Sequence, residues 1–78
     1  MIELKEIKRI NNIIACKAFV EDCTTEIPLQ YDFKTRELSN YTLPEGYGWC
    51  NAHIGYAERY MEEQRDVIDV PEHKVIMW

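Results

Sequence analysis

Cys50 and His53 stand three positions apart in a stretch of helical periodicity, so both side chains project from one face. A thiol beside an imidazole is the smallest set for nucleophilic catalysis: the imidazole takes the proton and the thiolate attacks. A position in the first turn of a helix would favour that thiolate further. Glu58 follows five positions after His53 but points well away from their shared face, so it completes no triad. The competing reading is that a thiol and an imidazole on an apolar stripe are core side chains, and the pattern favours it.

Other constellations draw on the same residues. Cys16 and Cys23 could join Cys50 and His53 around zinc, but structural zinc sites take their ligands from short knuckles such as C-x₂-C. Here the two cysteines are seven apart and no second close pair exists, so no metal or other cofactor is expected. Gly46-Tyr47-Gly48 before a helix could form an anion-binding nest. A dinucleotide fingerprint would need G-x-G-x-x-G inside a βαβ unit, and Glu45 would repel an anion. Aromatic residues gather at Tyr41, Tyr47, Trp49, Tyr56, Tyr60 and Trp78. Stacking on single-stranded nucleic acid would need a basic groove beside them. Core packing, or a partner groove lined with tyrosine and tryptophan, accounts for them better. His73 beside Glu72 reads as a solvated pair near the start of a strand.

These residues must be positioned by a strand-rich first half, one helix and a final strand. Residues 2–9 read as a strand whose alternation Ile2, Leu4 slips phase at Ile7, which a bulge near Lys5-Glu6 would repair. Asn11-Asn12 signals a turn. Residues 13–20 are apolar on both faces and suit a central strand. In residues 27–33, Ile27, Leu29, Tyr31 and Phe33 alternate with Pro28, Gln30 and Asp32, the clearest strand pattern in the chain. Lys34-Thr35-Arg36 reads as a hairpin turn and Glu37–Tyr41 as a short returning strand. Thr42 and Glu45 have the spacing of a capping box.

The helix is expected from about Gly48 to Arg65. At about 100° per residue, Trp49, Cys50, His53, Ile54, Tyr56, Ala57, Tyr60 and Met61 fall within roughly 160° of arc, with Glu58, Glu62 and Glu63 largely outside it. Residues 73–78 read as a last strand, apolar enough to be paired inside the sheet. The order β-β-β-(β)-α-β implies an α+β fold. One amphipathic helix would cross a face of a four- to five-stranded antiparallel sheet, with the last strand beside the first.

The chain has 78 residues, enough for a single domain spanning residues 1–78. Its net charge of −5 disfavours non-specific attraction to nucleic acid or an anionic membrane. The charge is uneven: residues 1–20 carry four basic and two acidic side chains, and residues 58–72 carry two basic and six acidic. The start of the chain is charged, which predicts no signal peptide, and no stretch approaches the roughly 18 apolar residues of a membrane span. Three cysteines, an odd number, suggest reduced thiols and hence a cytoplasmic setting.

The stretch Leu43-Pro44-Glu45-Gly46-Tyr47-Gly48-Trp49-Cys50-Asn51-Ala52-His53-Ile54, with the ending Lys74-Val75-Ile76-Met77-Trp78, resembles a group of small uncharacterised bacterial proteins. The resemblance covers most of the chain. It implies a free-standing domain of unknown function and transfers no active-site residue.

Two functional expectations result. The first is a non-enzymatic interaction or regulatory domain that meets a protein partner through the acidic helix face (Glu58, Glu62, Glu63) or an open sheet face. A homodimer through that sheet face would use Ile13, Ala15 and Phe19. The second is a small-ligand or thiol-chemistry site around Tyr47, Trp49, Cys50 and His53.

Overall fold

The computed structural model describes all residues, Met1–Trp78. Period-two patterning builds three long strands and two short ones: β1 (Ile2–Ile10), β2 (Ile13–Val20), β3 (Ile27–Asp32), β4 (Glu37–Leu38) and β5 (Lys74–Ile76). They form one antiparallel sheet in the order β4-β3-β2-β1-β5. The helix α1 (Asn51–Glu63) crosses one face. The fold is α+β, with β5 beside β1.

The phase slip in β1 is a bulge. Lys5 faces Lys17 but Lys8 faces Ala15, so β1 spends one residue more than β2 over that step. Glu6 absorbs it with φ of +51°, and Ile7 returns to the core. Asn11 takes φ of +56° in the two-residue loop between Ile10 and Ile13, a conformation that its short polar side chain tolerates. After β3, Asp32 Oδ1 accepts hydrogen bonds from the backbone N–H groups of Lys34 at 2.7 Å and Thr35 at 3.3 Å, folding the hairpin turn.

β4 is shorter than the sequence suggests. Ser39 N–H donates to Gln30 O at 2.8 Å, while Gln30 N–H donates to the Ser39 hydroxyl at 3.0 Å. A side-chain oxygen thus replaces the main-chain acceptor and regular pairing stops. β5 lies at the sheet edge beside β1 rather than between two strands, with Ile2 opposite Ile76, and Val75 is 38% exposed. His73 pairs with Glu3 of the neighbouring strand at 2.5 Å, not with Glu72.

The helix starts later than expected. Thr42–Glu45 opens no helix. Instead, Tyr47 N–H donates to Pro44 O, Cys50 N–H to Tyr47 O and His53 N–H to Cys50 O, three successive turns that step into α1. Gly46, with φ of +83°, breaks any earlier start. Cys50 is the residue at the N-cap and makes no side-chain capping bond. At the other end, Arg9 Nη1 donates to Gln64 O at 3.0 Å and Arg65 O at 2.5 Å, so a β1 side chain satisfies carbonyls at the helix C-terminus.

The core lies between α1 and the sheet. Cys50, Ile54, Ala57 and Met61 pack with Ile2, Leu4, Ile14, Ala18, Leu29, Tyr31 and Phe33, among others. Fully burying one such aliphatic side chain contributes about 1.5–3 kcal/mol. The Arg9 and Arg65 guanidinium groups lie over the Phe33 ring, their centres 4.3 and 5.3 Å from its centroid. The far sheet face has no cover, and its Ile13, Ala15 and Phe19 are only half-buried. Lysines interleave there: Lys5 sits over the Phe19 ring and Lys17 pairs with Glu6 at 2.9 Å. No helix is long and apolar enough to cross a membrane.

Candidate functional site

The side chains singled out at the helix start do come together. His53, on the first turn of α1, is 6% exposed, and its Nε2 donates to Glu21 Oε2 at 2.7 Å. The same Glu21 oxygen accepts from the Met1 amino group at 2.7 Å. These two hydrogen bonds, the Met1 contact the larger, hold the Glu21 carboxyl below its ordinary value. His53 Nδ1 is buried and has no partner. Trp49 and Trp78 meet the His53 ring edge-on at 5.4 and 4.7 Å, and Tyr56 stacks on Trp78 at 4.3 Å. Both tryptophans are more than half exposed, at 64% and 55%.

This neighbourhood is built as packing. Cys50 is 0% exposed and its burial pushes the thiol up, so the neutral form dominates. Tyr47 Oη donates to Asp22 Oδ1 at 2.7 Å, which with burial pushes its hydroxyl up to about 12. Trp49 Nε1 donates to Gly46 O at 3.2 Å. None of the four surface cavities is lined by Trp49, Cys50 or His53. The three cysteines are unpaired, and no three His, Cys, Asp or Glu side chains converge as metal ligands would.

Glu21 escaped the sequence reading. It lies 32 positions from His53, in a turn where it takes φ of +49°. Only that left-handed turn, which carries the chain off the end of β2, brings its carboxylate over the helix start.

The largest cavity lies elsewhere, between α1 and the β4 edge. It is a cleft of about 600 Å³, walled by the run Arg36–Tyr41 on one side and by Asn51, Ile54, Gly55 and Glu58 on the other. The helix residues recur at the spacing of one helical face. No family model matches the chain, and no curated protein or solved structure matches it. Function is therefore read from the chain's own geometry.

The acidic helix face is not uniform. Glu62 is committed: Arg65 grips both its oxygens at 3.0 and 2.7 Å, and Arg36 approaches to 3.3 Å. The Arg65 hydrogen bonds hold its carboxyl below the ordinary value. Glu63 is exposed and turned roughly 100° from Glu62 around the helix. Glu58 is half-buried in the cleft wall, yet no cation lies within ion-pair distance of it. Tyr41 Oη donates to Asn51 Oδ1 at 2.8 Å and ties the loop to the start of α1. From Asn40 to Leu43, no backbone N–H or C=O bonds another backbone group. The cleft can offer hydrogen bonds, a carboxylate and free main chain. The two hydroxyls that line it are engaged elsewhere: Ser39 Oγ accepts from the Gln30 N–H and Tyr41 Oη donates to Asn51.

Proposed function

We propose that this chain is a non-enzymatic interaction domain whose cleft between α1 and β4 receives a protein partner. The observation that carries the reading is Glu58, an acidic side chain in the wall of the largest cavity with no cation within ion-pair distance. A carboxylate held in a cleft wall with no cation in reach can form a charge-assisted hydrogen bond with a cationic group on a binding partner. Thiol chemistry at the helix start has less support, because the Cys50 thiol is sealed in the core and neutral. Unpaired cysteines fit a reducing, cytoplasmic setting for that interaction.

The test is retention of proteins from a cell lysate on the immobilised chain, compared with its Glu58→Lys and Glu63→Lys variants. We expect a protein held by the wild-type chain and by the Glu63 variant, and released by the Glu58 variant. An identical retained set on all three chains would overturn the reading.

A further inference from the structure

We infer that the occupant of the cleft is an extended peptide segment bearing a basic side chain, which adds to the sheet as a sixth strand outside β4. This rests on the interaction reading above and names the form its partner takes.

Three independent features point to a strand. First, β4 is the last strand on its side of the sheet, so its outer edge faces no neighbour. The chain that follows, Asn40–Leu43, has no backbone–backbone hydrogen bond at all. A row of unsatisfied N–H and C=O groups is a template for another strand. Second, hollows flank this edge on both faces of the sheet. The cleft of about 600 Å³ lies on the helix side, and a second hollow of about 330 Å³, lined by Ile13, Gln30 and Leu38 among others, opens on the uncovered side. Successive side chains of an added strand point to opposite faces, so alternate residues would enter alternate hollows. Third, the helix wall of the cleft carries Gly55, where an added Cβ would meet nothing within 4 Å. A glycine in a helix interior weakens the helix, and here it leaves the groove open.

Charge selects the segment. Glu37 and Glu58 line the cleft without ion-pair partners, whereas Arg36, its one cation, is engaged by Glu62. A lysine or arginine on the helix-facing side of the added strand would complete Glu58. An acidic segment would face repulsion from a chain of net charge −5.

The experiment uses the full chain and a phage-displayed library of random linear peptides of about nine residues, long enough to span the β4 edge. Selected sequences are then synthesised and titrated by fluorescence polarisation. We expect a lysine or arginine flanked by β-forming residues. N-methylation of alternate peptide amides should abolish binding, and methylation of the others should leave it intact. Gly55→Leu should keep or raise the unfolding midpoint, since leucine favours helix, while weakening binding at least about tenfold. Glu58→Gln should weaken it by about tenfold, the usual effect of losing a charge-assisted hydrogen bond. Amide shifts should move at Glu37–Leu43 and Asn51–Glu58.

Binding that ignores both N-methylation and Gly55→Leu overturns the inference, as does a library that yields no binder. In the latter case, lysate retention lost in the Glu58→Lys chain would keep the interaction reading standing. Shifts centred on Trp49 and Trp78 instead would move the docking surface to the helix start and exclude this groove.

Discussion

At the scale of single residues, exposure decides which groups can act. Cys16 and Cys50 are buried, and burial pushes the Cys16 thiol up to about 12. Cys23 is half-exposed. Iodoacetamide on the folded chain should therefore label Cys23 first, with Cys16 and Cys50 reacting only on unfolding. Mass spectrometry of tryptic fragments reads this, and rapid native labelling of Cys50 would reopen thiol chemistry at the helix start.

Glu21 sets a pH dependence. Its carboxyl is held below the ordinary value, so its stabilising contribution is complete above the unfolded-state pKa of about 4 and is lost as pH falls through the lower folded-state value. Glu6 and Glu62, lowered by Lys17 and Arg65, act with the same sign. The thermal midpoint should fall on acidification through that range, and Glu21→Gln should flatten part of the fall. An unchanged acid profile in the variant would refute this role for Glu21.

At the scale of elements, the helix depends on contacts at both ends and along its stripe. Arg9→Ala removes the donor to two helix-end carbonyls and a guanidinium over Phe33. It should cost about 1–3 kcal/mol in urea unfolding. Ile54→Ala opens a cavity beneath α1 and should cost about 2–5 kcal/mol.

Much of this architecture was legible in the chain. Alternation at Ile27, Leu29, Tyr31 and Phe33 marks β3 because a half-buried strand shows its period directly. The misplaced Ile7 marks the bulge for the same reason. Element ends were less legible. The Ser39 hydroxyl stops β4 by a hydrogen bond whose partner is nine positions away. Trp49 has the right helical angle yet precedes the helix and lies largely in solvent. The cleft was not legible at all, because its walls come from a sheet edge and a helix face that only folding brings together. Glu58 was visible as an outward acid, but its lack of a cation is a property of the folded surface.

At the scale of the whole molecule, the uncovered sheet face governs self-association. Its apolar side chains are interrupted by Lys5, Lys8 and Lys17, and two of those lysines are already engaged with Phe19 and Glu6. A second copy would have to strip water from these lysines and from Glu3 and Glu6 among them, so we expect a monomer mass by light scattering at high concentration. A dimer that dissociates on Phe19→Lys would show instead that this face pairs.

The pairing of Ile2 with Ile76 has a consequence for the order of events during synthesis. The hairpin of β1 and β2 can close as soon as Val20 has emerged. The other flank of β1 waits for Lys74–Ile76, which emerge only after α1. At about 5–20 residues per second, a ribosome leaves that flank open for several seconds. The nascent chain therefore passes through a stage in which its first strand has one satisfied edge and one bare edge. A chaperone or a neighbouring nascent chain could occupy the bare edge before β5 arrives.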